Sequence, residues 1–521
     1  MTIANVGGAT ESGSAPVELA ALELAASVEL AALELAALEL AALAGTIDDG
    51  LARLRTTARV EVGPWPLTTF TLPIPDIEPI ALFAAARSMD LEAALWLQPA
   101  TGRSIVGIGR AWAVQTDGPD RFSRSAAAWR DVLADSLRSG ERAVKPKAGP
   151  VLLGGLGFTG ETPLPGDAWE PFGAASLVLP TFGVTQNGPV MHLTVAIGPA
   201  AALDGRQGTF GKRWADLVGR ARQQRDAMIG MGSSDLGIGS ASLVSTGGTP
   251  DRAAWDRIVG MYAGAVGRGR LDKVVLARRE GFIAATDIDV TTALRHLAAS
   301  APECTIFAFA RGGTTFLGAS PERLLRTTGR SFETVAIAGS AARGRDTDED
   351  AELAAWLLAN EKEREEHSVV VDTLRANLEP VVETLQVPGA PAILRLRHVQ
   401  HLVTPISGRL LDEAGLLALA ERLHPTPAVG GSPRDMAIDL IAEHEGFERG
   451  WYAGPIGWLG ADGDGELMVA LRCGLVAGAE AVLFAGCGIV ADSDPDREWQ
   501  ESRLKLRTMA AALGGIGGDD T

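Results

Sequence analysis

Cysteine is scarce. Only Cys304, Cys473 and Cys487 occur in 521 residues, and none forms a CxxC pair. An odd, scattered set builds neither a disulfide framework nor a zinc site, and it fits reduced thiols in a cytoplasm. Long apolar runs are missing too: no stretch approaches the ~18 residues that span a bilayer, so no membrane segment is expected. The first residues lack a basic stretch followed by an apolar core and a cleavage site, so no secretory signal is expected. Positive charge is outweighed, with 47 Lys and Arg against 65 Asp and Glu, a net charge of −18. Such a surface repels phosphate backbones and argues against a nucleic-acid partner. No GxGxxG stands between a strand-like and a helix-like segment, which leaves a dinucleotide site unsupported. An anionic substrate would therefore need positive charge gathered locally inside a pocket.

What is present reads as a globular enzyme-sized chain, 46% hydrophobic and 21% charged. Residues 1–17 are small and polar and are expected to be disordered. Residues 18–43 repeat ELAAL-type units from Glu18, Glu23, Glu29, Glu34 and Glu39. Ala, Leu and Glu favour helix. A five-residue unit advances by ~500°, however, so the leucines drift around the cylinder and form no single stripe. The repeat is either a tolerated expansion or a partner-binding helix. Residues 1–50 are set aside as an extension, and 51–515 are taken as one catalytic domain with halves 51–248 and 249–515.

Within that domain, 151–158, 177–184 and 190–198 read as strands and 210–229 as an amphipathic helix. A Gly/Ser stretch at 230–248 reads as a loop. Thr249, Pro250 and Asp251 open a helix running to about 267. Strand 272–280, helix 290–299 and strands 304–311 and 314–320 follow. One long helix is expected over 347–380, with shorter ones at 412–423 and 433–444. Strands at 451–460, 465–476 and 480–490 precede a closing helix at 496–513. Hairpins are frequent, so the expected class is α+β with mostly antiparallel sheets.

Several residues carry potential chemistry. Glu363 and Glu366 lie three apart on one helix face, and Glu498 and Glu501 repeat the spacing with Lys505 four further on. Such pairs are either solvated surface or hard oxygen ligands that suit magnesium. Lys273 heads a strand; it is either a strand-end residue or, if partly buried, a base. Glu322 follows Ser320 and Pro321, which reads as a capped helix start. The alternative is a general acid, which needs a raised pKa. Arg472 lies among apolar strand residues, where a charge needs a partner. Tyr452 is one of two tyrosines. Gly486 and Gly488 allow close approach of an anion to peptide N–H groups. His424 sits in a rigid Pro/Gly-rich loop, where a structural role competes with a functional one.

Taken in order, the blocks DKVVLAR, FLGASPERLLR, IAGSAARG, NEKEREEH, LHPTPAVGGSP, YAGPIGW, ALRCGLV, FAGCGIV and REWQESRLK resemble the chorismate-utilising enzyme family. The tight match runs from about 250 to 513. Residues 60–230 fit more loosely, with GGLGF as that half's signature, and 1–50 have no counterpart. The resemblance implies a sandwich of large, mostly antiparallel sheets with helices outside, chorismate as substrate and Mg²⁺ as cofactor. It implies Glu366 and Glu501 as direct metal ligands, with Glu363 and Glu498 holding metal-bound water. It implies Lys273 as base and Glu322 as acid. Tyr452, Arg472, Lys505, Gly486 and Gly488 would bind substrate carboxylates, His424 would contact the ring hydroxyl region, and Gly339 and Ser340 would line the pocket.

Amine-adding relatives that form anthranilate typically carry Gln at the Lys273 position, so a lysine implies water as nucleophile and no glutaminase subunit. Salicylate-forming and amine-adding members usually read AGT where this chain reads Ala338-Gly339-Ser340, followed by Ala341, the AGSA usual in isochorismate synthases. The expected product is therefore isochorismate, with menaquinone, a catechol siderophore and salicylate made through a separate lyase all open as the pathway it feeds. Salicylate plus pyruvate is the alternative, and a non-catalytic scaffold relative a remote one. A cytoplasmic monomer is expected.

Overall fold

Strand Thr305–Arg311 shows how the sequence builds layers. All seven of its residues are buried. Alternate side chains of a strand face opposite ways. Phe307 and Phe309 enter one core, while Ile306, Ala308 and Ala310 enter another. The first core lies between two sheets; the second lies between the larger sheet and helices on its outer face. Burying a large apolar side chain in either contributes about 1.5–3 kcal/mol, so a strand with two apolar faces is held in the middle of the molecule.

The protein is represented by a computed structural model that describes residues 41–50, 67–140, 149–198, 210–230, 242–395, 399–411 and 415–515. Among these, thirteen strands form one sheet and ten the other. Pairing is antiparallel throughout except where Thr68–Ile74 runs parallel to Leu137–Gly140. Both cores draw on residues before and after 249, from Leu67 to Ile489 in the first and from Ile47 to Leu513 in the second. Helices Pro79–Ser88, Val290–Ser300 and Pro495–Ala512 cover the outer face of the larger sheet. The expected α+β sandwich is the observed architecture.

Several local expectations give way. The strand expected over 177–184 is two, Ala175–Leu179 in the smaller sheet and Phe182–Gln186 in the larger. Residues 41–50 form a helix whose Ile47 is fully buried in the second core, so the folded part begins before residue 51. Residues 1–40, with most of the ELAAL repeat, lie outside the described residues. The Gly/Ser stretch ends in a strand, Val244–Thr249, paired along Ile283–Arg279 with a bulge at Ser245/Gly247. The long helix is two, Thr347–Ala359 and Glu361–Leu378, broken at Asn360. The strand expected over 465–476 is also two, Gly465–Val469 and Cys473–Ala477, separated by Arg472 in the left-handed region at φ 49°. Finally, no helix starts at Glu322, which joins strands Thr314–Ser320 and Arg323–Thr328. Ser320 still caps locally, its hydroxyl accepting from the Glu322 amide at 3.2 Å, but sheet pairing of Arg323–Thr327 with Gly465–Met468 prevails.

Candidate active site

The break at Asn360 positions the first pair of carboxylates. Its side chain accepts from the Glu363 amide at 3.0 Å and starts a new helix. Glu363 and Glu366 then lie one turn apart on one face. Asp494 does the same for Pro495–Ala512, accepting from Asp496 and Arg497 amides at 3.1 Å, and Glu498 and Glu501 follow. All four carboxylates line one cavity of about 340 Å³. Its walls come from both sheets and from these two helices.

Gly339 shapes the wall facing Glu363. It adopts φ 76° at a bulge between the pairs Ala338↔Leu402 and Ser340↔His401. Only glycine takes that conformation at no steric cost, and an added Cβ would lie 3.1 Å from the Glu363 carbonyl oxygen. The bulge turns the Ser340 amide outward to donate to Glu363 Oε2 at 2.9 Å.

Lys273 is 8% exposed and its Nζ lies 2.5 Å from Glu366 Oε1. Gly488 stands opposite Val275 in the paired strand Glu480–Ile489. A Cβ there would fall 2.4 Å from Lys273 Cε and 2.9 Å from Nζ. Gly486 likewise leaves room for Tyr452, whose hydroxyl would be 2.9 Å from an added Cβ. The two glycines thus clear the paths of two cavity-lining side chains, a reason not visible in their spacing.

Glu322 is also 8% exposed on the same cavity. Burial pushes its carboxyl up to about 7, against the opposing pull of Lys273 and Arg472. Arg472 faces the cavity and forms no ion pair with any described residue; burial holds its pKa below the ordinary arginine value. Lys505 donates to the Gly486 carbonyl at 2.8 Å and pairs with Glu501 at 2.6 Å. Burial would raise Glu501, but Lys505 together with Arg472 and Lys273 outweighs it, and Glu501 lies below the usual carboxylate range. Glu498 lies above that range because it is buried and because the Glu501 charge adds to the effect. Crowded carboxylate oxygens of this kind are the donor set a hard divalent cation such as magnesium requires, so the residues present fit that ion. The Tyr452 ring stacks on Phe484, centroids 5.2 Å apart.

The sequence profile described as "Chorismate binding enzyme" matches residues 54–514. The chain belongs to the chorismate binding enzymes. It is similar to the salicylate biosynthesis isochorismate synthase of Pseudomonas aeruginosa, 38% identical over 459 residues that cover 87% of this chain and 91% of that protein. It is similar to isochorismate synthase MenF of Bacillus subtilis, 32% identical with 86% and 94% covered. Among solved structures, MenF, the menaquinone-specific isochorismate synthase from Escherichia coli, aligns with a TM-score of 0.67 at 27% identity, covering 88% of this chain and 98% of that one. Anthranilate synthase component I from Streptococcus pneumoniae shares the fold, with a TM-score of 0.60 at 22% identity over 78% and 92%.

In this chorismate binding enzyme every residue expected at the site lines the cavity except His424. The expectation that His424 contacts substrate is corrected. It ends helix Leu416–Leu423 and points into the core, where Nε2 faces the Phe158 carbonyl at 3.1 Å between the rings of Phe122 and Phe158. Burial lowers its pKa to about 3, which leaves a neutral packing residue. The imidazole on the cavity is that of His401, which the sequence reading missed. Its Nδ1 lies 2.8 Å from the Ser340 hydroxyl, and burial, with Arg472 and Lys505 nearby, brings it to about 4. A histidine in a strand opposite a bulge carries no spacing signal, because strand pairing across 61 residues places it. No helix among the described residues is long and apolar enough to cross a membrane.

The Gly488 geometry gives a direct prediction for the chorismate binding enzyme. Gly488→Ala should fold, since the obstructing atoms are the flexible end of Lys273. It should lose about 100-fold in kcat because the ammonium is displaced. Steady-state kinetics beside thermal unfolding checks this; wild-type kcat would show that Lys273 needs no such path.

Proposed function

We propose that this chorismate binding enzyme is an isochorismate synthase. The observation that carries the reading is one cavity lined by a buried lysine, a carboxyl poised near neutrality and two carboxylate pairs from two helices. The names of the relatives at 38% and 32% identity over most of the chain support the same reading. Glu366 and Glu501 would hold magnesium directly, and Glu363 and Glu498 would hold its water. When bound, the ion supplies Lewis acidity that offsets charge on the substrate's ring carboxylate. Arg472, Lys505 and Tyr452 orient the carboxylates. Lys273 takes a proton from water as that water adds to ring C2. The double bonds shift, and Glu322 gives its proton to the C4 hydroxyl, which leaves as water. One water enters and one departs, so the reaction is reversible. Water as nucleophile makes a glutaminase subunit unnecessary. Ser340, in place of the threonine of lyase-competent relatives, supports a reaction that stops before pyruvate loss.

The test is a product assay with purified protein and chorismate, with and without magnesium. Isochorismate has the mass of chorismate, so products are separated by chromatography or coupled to an isochorismatase. A magnesium-dependent isomer without pyruvate is expected. Salicylate with stoichiometric pyruvate would overturn the product assignment, and no turnover would overturn the enzymatic reading.

A further inference from the structure

Strand Lys273–Ile283 is paired along one whole edge but not along the other. On that second edge, Gly431–Ser432 covers Lys273 and Val274, and Val244–Thr249 covers Arg279 onward. Between them, Val275 and Ala277 point their backbone groups at no strand. Buried backbone groups need partners, and side chains supply most of them here. The Ala277 amide donates to Glu445 Oε1 at 2.7 Å, and the Val275 carbonyl accepts from Arg449 Nη2 at 2.8 Å. The Val275 amide donates to the Gly430 carbonyl at 2.9 Å. Glu445 and Arg449 also pair with each other, Nε to Oε2 at 2.8 Å and Nη2 to Oε1. Both are at most 3% exposed.

Arg449 reaches further. Nη1 donates to the Val429 carbonyl at 2.9 Å, the guanidinium lies 4.2 Å over the Phe158 ring, and its own carbonyl accepts from the Tyr452 amide at 3.0 Å. Val275, Val429 and Tyr452 all line the cavity, whereas Glu445 and Arg449 do not. Arg449 therefore ties together three segments of the cavity wall, the Val275 strand and the Val429 loop through its guanidinium and the Tyr452 turn through its backbone carbonyl, and Val275 is two residues from Lys273.

We infer that Arg449, held by Glu445, is a positioning residue that acts as a surrogate strand, fixing the Lys273 strand against the Val429 loop and the Tyr452 turn. The inference rests on the reading of Lys273 as the base. Removing one partner alone leaves a buried charge and threatens folding, whereas replacing both with apolar groups of similar size is often neutral for stability. The double variant Glu445→Met/Arg449→Met separates the two roles. Expected are a folded protein with a lowered unfolding temperature, because the Ala277 amide and the Val275 and Val429 carbonyls lose their partners, kcat lower by about 30-fold with KM little changed, and faster hydrogen exchange at the Ala277 amide. Wild-type kcat in a folded double variant, or unchanged Ala277 exchange, would overturn the inference. If the double variant does not fold, Arg449→Lys serves instead: it keeps the charge but loses the fork, and kcat should fall with stability largely kept. Wild-type kcat there also overturns the inference. Lys273→Ala is measured alongside. A dead Lys273→Ala beside a fully active double variant overturns this inference alone. An active Lys273→Ala overturns the base reading and the inference with it.

Discussion

Glu322→Gln is expected to unfold at a higher temperature than wild type while losing turnover. The buried carboxyl titrates at about 7 against an ordinary 4.5, chiefly because burial disfavours its charge. Below pH 4.5 both the folded and the unfolded chain hold the proton, and the group favours neither. As pH rises from 4.5 towards 7 the unfolded chain releases its proton and the folded one does not, so folding loses stability. The loss is complete above about 7, where it is on the order of 3 kcal/mol. Glutamine is the neutral isostere and carries no such penalty. The unfolding-temperature gap should therefore be small near pH 4.5, widen towards pH 7 and stay level above it. Glutamine has no acidic proton to give the departing hydroxyl, so kcat should fall by about a thousandfold. The wild-type rate should itself decline as pH rises through about 7. Thermal unfolding at pH 5 and pH 8, with kinetics at both, tests all of this; a gap independent of pH would show that Glu322 is ionised in the fold.

What was readable in the sequence was local or ordered. The carboxylate pairs were visible because three-residue spacing on a helix fixes a shared face, and the order of the blocks tied them to Lys273 and Glu322. Frequent hairpins pointed to mostly antiparallel sheets, and the sandwich with helices outside was implied by the family resemblance. The misreadings share a cause: tertiary pairing decided between two local options. Ser320-Pro321-Glu322 has the chemistry of a helix start, yet sheet pairing of the next residues turns it into a strand junction. Asn360 is one polar residue in a run of strong helix formers, so its capping bond to Glu363 was hidden in helical periodicity. His424 lies off the cavity and His401 on it because the first faces Phe158, 266 residues away, and the second faces Ser340, 61 residues away. Neither distance has a local signature. The space that Gly488 leaves for Lys273 is likewise a property of two paired strands.

Lys273→Ala should be inactive in turnover yet bind a divalent cation more tightly than wild type. The Lys273 ammonium lies 2.5 Å from Glu366 Oε1, with the two side chains 10% and 22% exposed. At that separation the attraction is worth several kcal/mol before desolvation is counted. A cation that takes Glu366 must therefore displace a competitor already seated on it. Alanine removes the competitor and leaves the carboxylate free, so Mn²⁺ affinity, measured by calorimetry or paramagnetic resonance without substrate, should rise about tenfold, equivalent to about 1.4 kcal/mol. Lys362 provides the control for charge alone. It lines the same cavity but pairs with Asp492 at 2.6 Å at the exposed rim, where an ion pair contributes about 0–1 kcal/mol. Lys362→Ala removes the same unit charge and should change the affinity little. Equal gains in both variants would reduce the effect to general electrostatics, and no gain in Lys273→Ala would show that Glu366 is not where the cation binds. The prediction turns on one contact: the carboxylate proposed to take the cation is the one that holds the Lys273 ammonium.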